Sequence, residues 1–398
     1  PVFGLPDGIL FYAGLLACLW QAIRSRRHAR IIGAALLLWL LIMLLPMTLS
    51  AEGLPYYQRA IGILPGIYLI AALGLDTAAR WPSTLRRPAA RNVAARIVAI
   101  AVTALVGWLF VRVWQDYFVA WHTNPRNDDD RRVAMVYAAD YLQREPATGE
   151  LYLSTAYARH PTLAFLAPEQ YDGIHWFDAS QSLPLPPPST EATYLFLLEN
   201  MPQPHLLERV PDLRRVDTEM DRFGRPVFEV YRWTGGRLPA PHDTTPAIWS
   251  FEVRFEPGDP QGLRHEIALP VDFGHVLEFV GHDRSASAVE AGGVLELTLY
   301  WRLTTKPEHN YSMFAHLLDA ESQVVGEYDD NRYAADFWSD GGETLLSYFP
   351  VQARPGTPPG EVRLEIGVYH QPTGQRLQVY QNGQPVADRL LLDPVQIR

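Results

Sequence analysis

The chain has one cysteine, Cys18, in 398 residues, which excludes a disulfide framework and any zinc site built on cysteine pairs. It also lacks a surplus of positive charge. Its 34 Lys+Arg face 44 Asp+Glu, a formal net charge of −10, and no basic stripe is present to attract a phosphate backbone. That excludes a general nucleic-acid binder. The 12 histidines are dispersed, without H-E-x-x-H or a comparable ligand spacing, so no metal site is read from them. No G-x-S-x-G elbow, Walker loop or dinucleotide fingerprint occurs, and no cofactor is evident.

What is there divides sharply along the chain. A mean hydropathy of −0.08 and 48% hydrophobic residues describe an ordinary soluble protein only because two unlike parts are averaged. Residues 1–116 carry 11 Arg and only four acids (Asp7, Glu52, Asp76 and Asp116), a net of +7. Residues 117–398 carry 23 basic and 40 acidic side chains, a net of −17. At roughly 150 residues per domain the length suggests two or three domains. The chain opens on Pro1 and runs straight into an apolar stretch whose arginines follow it, the reverse of a secretory signal. We expect it to be the later part of a longer protein.

Four apolar stretches predict membrane-spanning helices at about 8–23, 31–50, 60–75 and 97–115, within a region ending near residue 121. Ile31–Leu49 is free of charge over about the 20 residues that cross a bilayer. The other three are shorter, yet apolar all round, where helices of soluble proteins alternate faces. Arg24, Arg26, Arg27 and Arg30 fill the first connecting loop, and Arg80, Arg86, Arg87, Arg91 and Arg96 the third. The positive-inside rule then makes those loops cytoplasmic. Ser50–Arg59 and everything after about residue 116 lie outside, in a multi-pass protein of the cytoplasmic membrane. Trp108, Trp114, Tyr117, Phe118 and Trp121 suit an interfacial belt where the fourth span emerges.

Residues 122–234 read as a small extracytoplasmic α/β domain. Asn127–Asp130 and the following RRVAMVYAADYLQRE predict a helix with acids at its positive end. The Asp triplet also resembles the metal-binding DxD of nucleotide-sugar transferases, but no Rossmann-like fingerprint accompanies it. Short strands are predicted at Leu151–Ser154, Gly173–Phe177 and Thr193–Leu198, then a hairpin of Val216–Met220 and Pro226–Trp233 turning at Phe223-Gly224. Residues 235–250 are rich in turn formers and read as a linker. From 251 to 398, strands recur with turn signals, as in a sandwich. They are predicted at 275–282, 294–303, 311–319, 323–328, 361–369 and 376–379, and LELTLYW and VRLEIGVY alternate so as to bury one face. The fold class expected is a transmembrane helical bundle, a small α/β domain and a C-terminal antiparallel, immunoglobulin-like β-sandwich.

Two segments carry candidate chemistry. In SAEGLPYYQR, at residues 50–59, Tyr56, Tyr57 and Arg59 stand just before the third span, where a guanidinium could pair with a lipid phosphate or simply snorkel to headgroups. In the loop 327–343, Tyr333, Phe337 and Trp338 could stack on sugar rings beside carboxylates suited to calcium, or fold inward.

The segment SAEGLPYYQRAIGILPGIYLIAALGL resembles the late transmembrane part of bacterial lipid-carrier-dependent glycosyltransferases of family 39, which include protein O-mannosyltransferases and aminoarabinose transferases. LYLSTAYARHPTLAFL, GIHWFD and TYLFLL are similar to the small outer domain that follows their last span. VLEFVGHD, LELTLYWR, MFAHLLDAESQVV and GEVRLEIGVYHQPTGQRL are similar to the sandwich appended to many of them. The resemblance implies a GT-C enzyme that moves a sugar from a polyprenyl-phosphate carrier to a glycan, lipid or protein acceptor at the outer face. It leaves room for a divalent cation in the full-length enzyme. The family's general base is an acidic residue in the first outer loop. Nothing here matches that motif and Asp7 does not qualify, so no catalytic residue is assigned. The resemblance makes Arg59 a contact to the carrier phosphate, with Tyr56 and Tyr57 beside it. From a different class, a membrane-anchored sandwich that binds surface polysaccharide without catalysis remains open.

Overall fold

The computed structural model describes residues 4–48, 61–125, 133–252, 263–330, 337–338 and 341–398. The chain forms two compact units, Pro1–Asn124 and Pro125–Arg398.

The first unit is helical. Helices α1 (Leu5–Arg24), α2 (Arg27–Thr48), α3 (Leu64–Ala79) and α4 (Pro88–Trp114) follow one another, and α4 runs on into a π-helical turn, Gln115–Trp121. Proline stands in the first turn of α1, α3 and α4, where its missing N–H costs nothing. Among the described residues, three stretches, Arg27–Leu45, Ile61–Thr84 and Pro88–Trp121, are long and apolar enough to cross a membrane, against the four spans expected. Large apolar side chains such as Leu16, Leu41, Leu69, Ile100 and Phe110 are exposed on these helices, a surface that only a nonpolar solvent would leave without penalty.

Glycine sets how closely the helices approach. A Cβ at Gly14 of α1 would overlap the Ile70 carbonyl of α3, and one at Gly74 of α3 would overlap the Leu10 carbonyl of α1. A Cβ at Gly33 of α2 would come within 2.6 Å of the Cys18 carbonyl, a less severe approach, and Cys18 itself is buried there. Between helices in lipid, where no hydrophobic force acts, close backbone packing at small residues supplies the cohesion.

The second unit begins with α5 (Ala134–Arg144), whose N-cap is Val133; the acidic run expected to cap it lies outside the described residues. Strands β1 (Glu150–Ser154), β2 (Ile174–Phe177), β3 (Ser182–Leu185), β4 (Ala192–Leu197), β5 (Leu213–Met220) and β6 (Pro226–Trp233) follow. Five of them form a mixed sheet in the order β2-β1-β4-β6-β5, with β1 parallel to both neighbours and β6 antiparallel to β4 and β5. The hairpin turns where expected, Gly224 adopting φ +76°, a conformation glycine takes without strain.

Ala247–Glu252 is already a strand, β7, so the irregular stretch is shorter than the expected linker and ends at Pro246. The remaining strands are β8 (Leu263–Ile267), β9 (Val271–Phe273), β10 (Leu277–Arg284), β11 (Ala288–Val289), β12 (Val294–Leu303), β13 (Tyr311–Leu318), β14 (Val324–Asp330) and β15 (Thr344–Ala353). After them come β16 (Gly360–His370), β17 (Gln375–Arg376), β18 (Val379–Gln381), β19 (Gln384–Ala387) and β20 (Leu390–Ile397). They form one large, mainly antiparallel sheet in the order β19-β18-β9-β10-β12-β15-β14-β13-β16-β20-β7-β8, consistent with a sandwich layout. Its core is aromatic: Trp301 is fully buried between Phe273 and Phe279, at ring-centroid distances of 5.5 and 5.3 Å. Strand β3 leaves the α/β layer to pair with β15, Ser182 opposite Ser347 and Leu185 opposite Thr344. That ladder joins both layers into one compact unit.

Candidate functional site

In the helical unit, charged groups gather where the start of α1 meets the end of α4. Asp7 lies in the first turn of α1, where the helix dipole favours an anion, and its Oδ2 accepts the Gly4 N–H at 3.2 Å. Arg112, in the last turn of α4, donates from Nη1 to the same Oδ2 at 3.2 Å. One turn further, Asp116 Oδ2 stands 3.5 Å from Arg112 Nε. The guanidinium also lies over the Trp108 ring, 5.5 Å from its centroid. Asp7 Oδ1 is buried without a hydrogen-bond partner among the described residues.

These groups border a cavity of about 380 Å³ whose other walls include Leu10, Tyr68, Ala71 and Leu75. An apolar trough with a cation at its rim fits an amphiphile bearing an oxyanion, since guanidinium and phosphate pair through parallel N–H···O bonds. The cluster itself carries one cation against two carboxylates. An anion bound there would need a second cation.

Of the residues expected to meet the lipid phosphate, Tyr56, Tyr57 and Arg59 all lie outside the described residues, as does Tyr333 of the candidate glycan-contact loop. Phe337 and Trp338 are described, and both are buried, 8% and 4% exposed. They line a second cavity, of about 190 Å³, together with Arg159, Tyr171, His175 and Lys306. The Arg159 guanidinium covers the Phe337 ring at 5.4 Å, and His175 Nδ1 bonds to the Phe337 carbonyl. Arg159 holds this place in a left-handed conformation, φ +56°, uncommon for a residue with a side chain. Polar atoms dominate the lining of this cavity.

Sequence reading set Asp7 aside and did not single out Arg112 or Asp116. A signal was present. Arg112 lies inside the expected span 97–115 with an acid four residues on, and an ionisable residue within a membrane-length segment is a functional candidate by default. Arg159 and Lys306 carry no such pattern, because 147 residues separate them and only the fold unites them.

No protein-family model and no curated protein matches this chain. Among solved structures, the C-terminal domain of wzt is similar at 8% identity, covering 32% of this chain and 77% of that one with a TM-score of 0.21. A likeness of that size carries no argument about fold or function.

Proposed function

We propose that the chain is the C-terminal part of an integral-membrane glycosyltransferase that takes a sugar from a polyprenyl-phosphate carrier at the extracytoplasmic face. Three helices of membrane-crossing length support the setting, and the resemblance of residues 50–75 to family-39 transferases supports the chemistry. The observation that carries the reading is the cavity at Asp7, Arg112 and Asp116, which pairs apolar walls with a fixed guanidinium.

In the reaction the acceptor hydroxyl attacks the anomeric carbon, the bond from that carbon to the phosphate oxygen breaks, and the carrier phosphate departs with the electron pair. The acceptor's proton goes to a general base, which the resemblance makes an acidic residue of the family's first outer loop. Positive charge at the departing phosphate lowers the barrier without proton transfer. Arg112 is held in place for that role by Asp7 and Asp116, and the resemblance assigns Arg59 a contact to the carrier phosphate as well.

The test is polyprenyl-phosphate binding by the full chain in lipid nanodiscs, read by native mass spectrometry with polyprenol as the uncharged control. Loss of a charged hydrogen-bond donor costs about 1.5–3 kcal/mol, so Arg112→Ala is expected to weaken phosphate-lipid binding by about 10- to 100-fold while leaving polyprenol unchanged. Equal binding of both lipids by the wild-type chain contradicts the assignment.

One observation favours a second reading, a non-catalytic membrane-anchored binder of surface polysaccharide. Phe337 and Trp338 line a cavity that also holds two cations, Arg159 and Lys306. On that reading polysaccharide binding survives Arg59→Ala and Arg112→Ala intact.

A further inference from the structure

Strand alternation places an unusual set of groups on the outward face of the large sheet. Met313, Ala315 and Leu317 of β13 and Leu364, Ile366 and Val368 of β16 turn into the core. The intervening residues turn the other way. His316 lies opposite Glu365, Phe314 opposite Gly367, and Leu318 opposite Arg363.

Glu365 is almost fully buried, and three cations share its single charge. His316 Nδ1 stands at 3.3 Å from it, Arg376 Nη1 at 3.1 Å and Arg389 Nη1 at 3.2 Å. His316 Nε2 faces Asp329 at 3.4 Å, and Asp329 also accepts the Tyr369 hydroxyl at 2.8 Å. Hydrogen bonds to both carboxylates outweigh burial and push His316 up to about 9, so at neutral pH it is a cation. Phe314 braces the group: His316 stacks on it at 4.6 Å and the Arg376 guanidinium covers it at 4.4 Å. Glycine at 367 is required there, because a Cβ would run into the Phe314 ring.

His316, Glu365, Arg376 and Arg389 line a cavity of about 240 Å³, together with Arg363, Ser322, Leu318, Val324 and Leu391. Arg363 donates to Ser322 Oγ at 2.8 Å and to the Asp319 carbonyl at 3.0 Å, so its position is fixed. The lining holds four cations and one carboxylate, and with Asp329 on His316 and Asp388 4.0 Å from Arg376 just beside it the cluster keeps a net positive charge, in a part of the chain whose net charge is −17. Close-packed like charges repel, and an added oxyanion relieves that repulsion while arginine forks bind it bidentately. The volume is below the roughly 300–1,000 Å³ of drug-sized pockets, and the interspersed leucines and valine suit the C–H face of one sugar ring.

We propose that this cavity binds an acidic sugar through its oxyanion, a carboxylate or a phosphate. The proposal is independent of the transferase reading, since it rests on the C-terminal unit alone. The test is calorimetric titration of the full chain in nanodiscs with galacturonate, galactose 1-phosphate and galactose. One or both acidic sugars bind saturably in the millimolar range or tighter and galactose does not; which of the two binds distinguishes carboxylate from phosphate. Arg389→Gln, at a half-exposed position, weakens that binding by about tenfold or more, and Arg363→Gln does so independently. Arg354→Gln, on an exposed pair with Glu327, leaves it unchanged. Absence of saturable binding by either acidic sugar, equal binding of galactose, or binding indifferent to both Arg389→Gln and Arg363→Gln overturns the proposal.

Discussion

At the scale of single residues, the charge states in the C-terminal unit depend on which partner outweighs burial. Burial pulls His282 below its ordinary value despite Asp243 nearby, so it is held neutral. His316 shows the opposite outcome, because two carboxylates face it. Its folded value of about 9 lies above the ordinary 6.5, so the imidazolium contributes its stability in full below about pH 6.5. That contribution is lost as pH rises through about 9. Thermal unfolding followed from pH 6.5 to 9 should show the wild-type chain losing stability, with Asp329, Glu365 and Arg376 facing the titrating ring. His316→Gln should flatten that decline and lower stability chiefly at the acid end of the window. An unchanged pH slope in the variant would assign the decline to other groups. None of this was legible in the sequence: His316 was one of twelve dispersed histidines, and its carboxylate partners come from two other strands. The aromatic pair Phe337 and Trp338 was legible as a feature, but only the structure shows Arg159 lying on one of its rings.

At the scale of elements, legibility followed periodicity. The strands with clear alternation or bounding turns, β6 and β12 among them, lie at the predicted residues. Strand β15 was missed because TLLSYFPVQA is buried on nearly every residue, on both faces, and such a run shows no period of two. Strand β3 was missed because SLPLPPP carries turn-forming prolines, yet β3 is the strand that joins the α/β layer to the large sheet. Helix positions were legible from apolar length, but the contacts between helices were not, since they depend on glycine placement. Gly14→Ala puts a methyl into the Ile70 carbonyl of α3, whereas a Cβ at Gly107 of α4 meets nothing within 4 Å. Glycine in a helix interior normally costs about 0.5–1 kcal/mol relative to alanine. Gly107→Ala should therefore leave stability in detergent unchanged or slightly raised, and Gly14→Ala should lower it. Equal effects in a thermal-shift assay would mean that α1 and α3 are not in close contact.

At the scale of the whole molecule, the near-neutral average of the chain conceals an arginine-bearing helical unit at +7 and an acidic C-terminal part at −17. The boundary read from charge, near residue 116, lies close to the boundary between the two compact units at Asn124. Charge and hydropathy are properties of long stretches and can be read without the fold. The cavity chemistry was not legible, because Asp7 and Arg112 are 105 residues apart. The account stands or falls on whether the helical unit handles a phosphate-linked sugar carrier. The direct measurement is transfer of a radiolabelled sugar from polyprenyl phosphate to acceptor, in membranes from cells expressing the protein. The account predicts transfer by the wild-type protein and a reduction of about tenfold or more in each of Arg59→Ala and Arg112→Ala, as loss of one charged hydrogen bond to the departing phosphate requires. Wild-type rates of transfer in both variants, or no transfer by the wild-type protein itself, would contradict it.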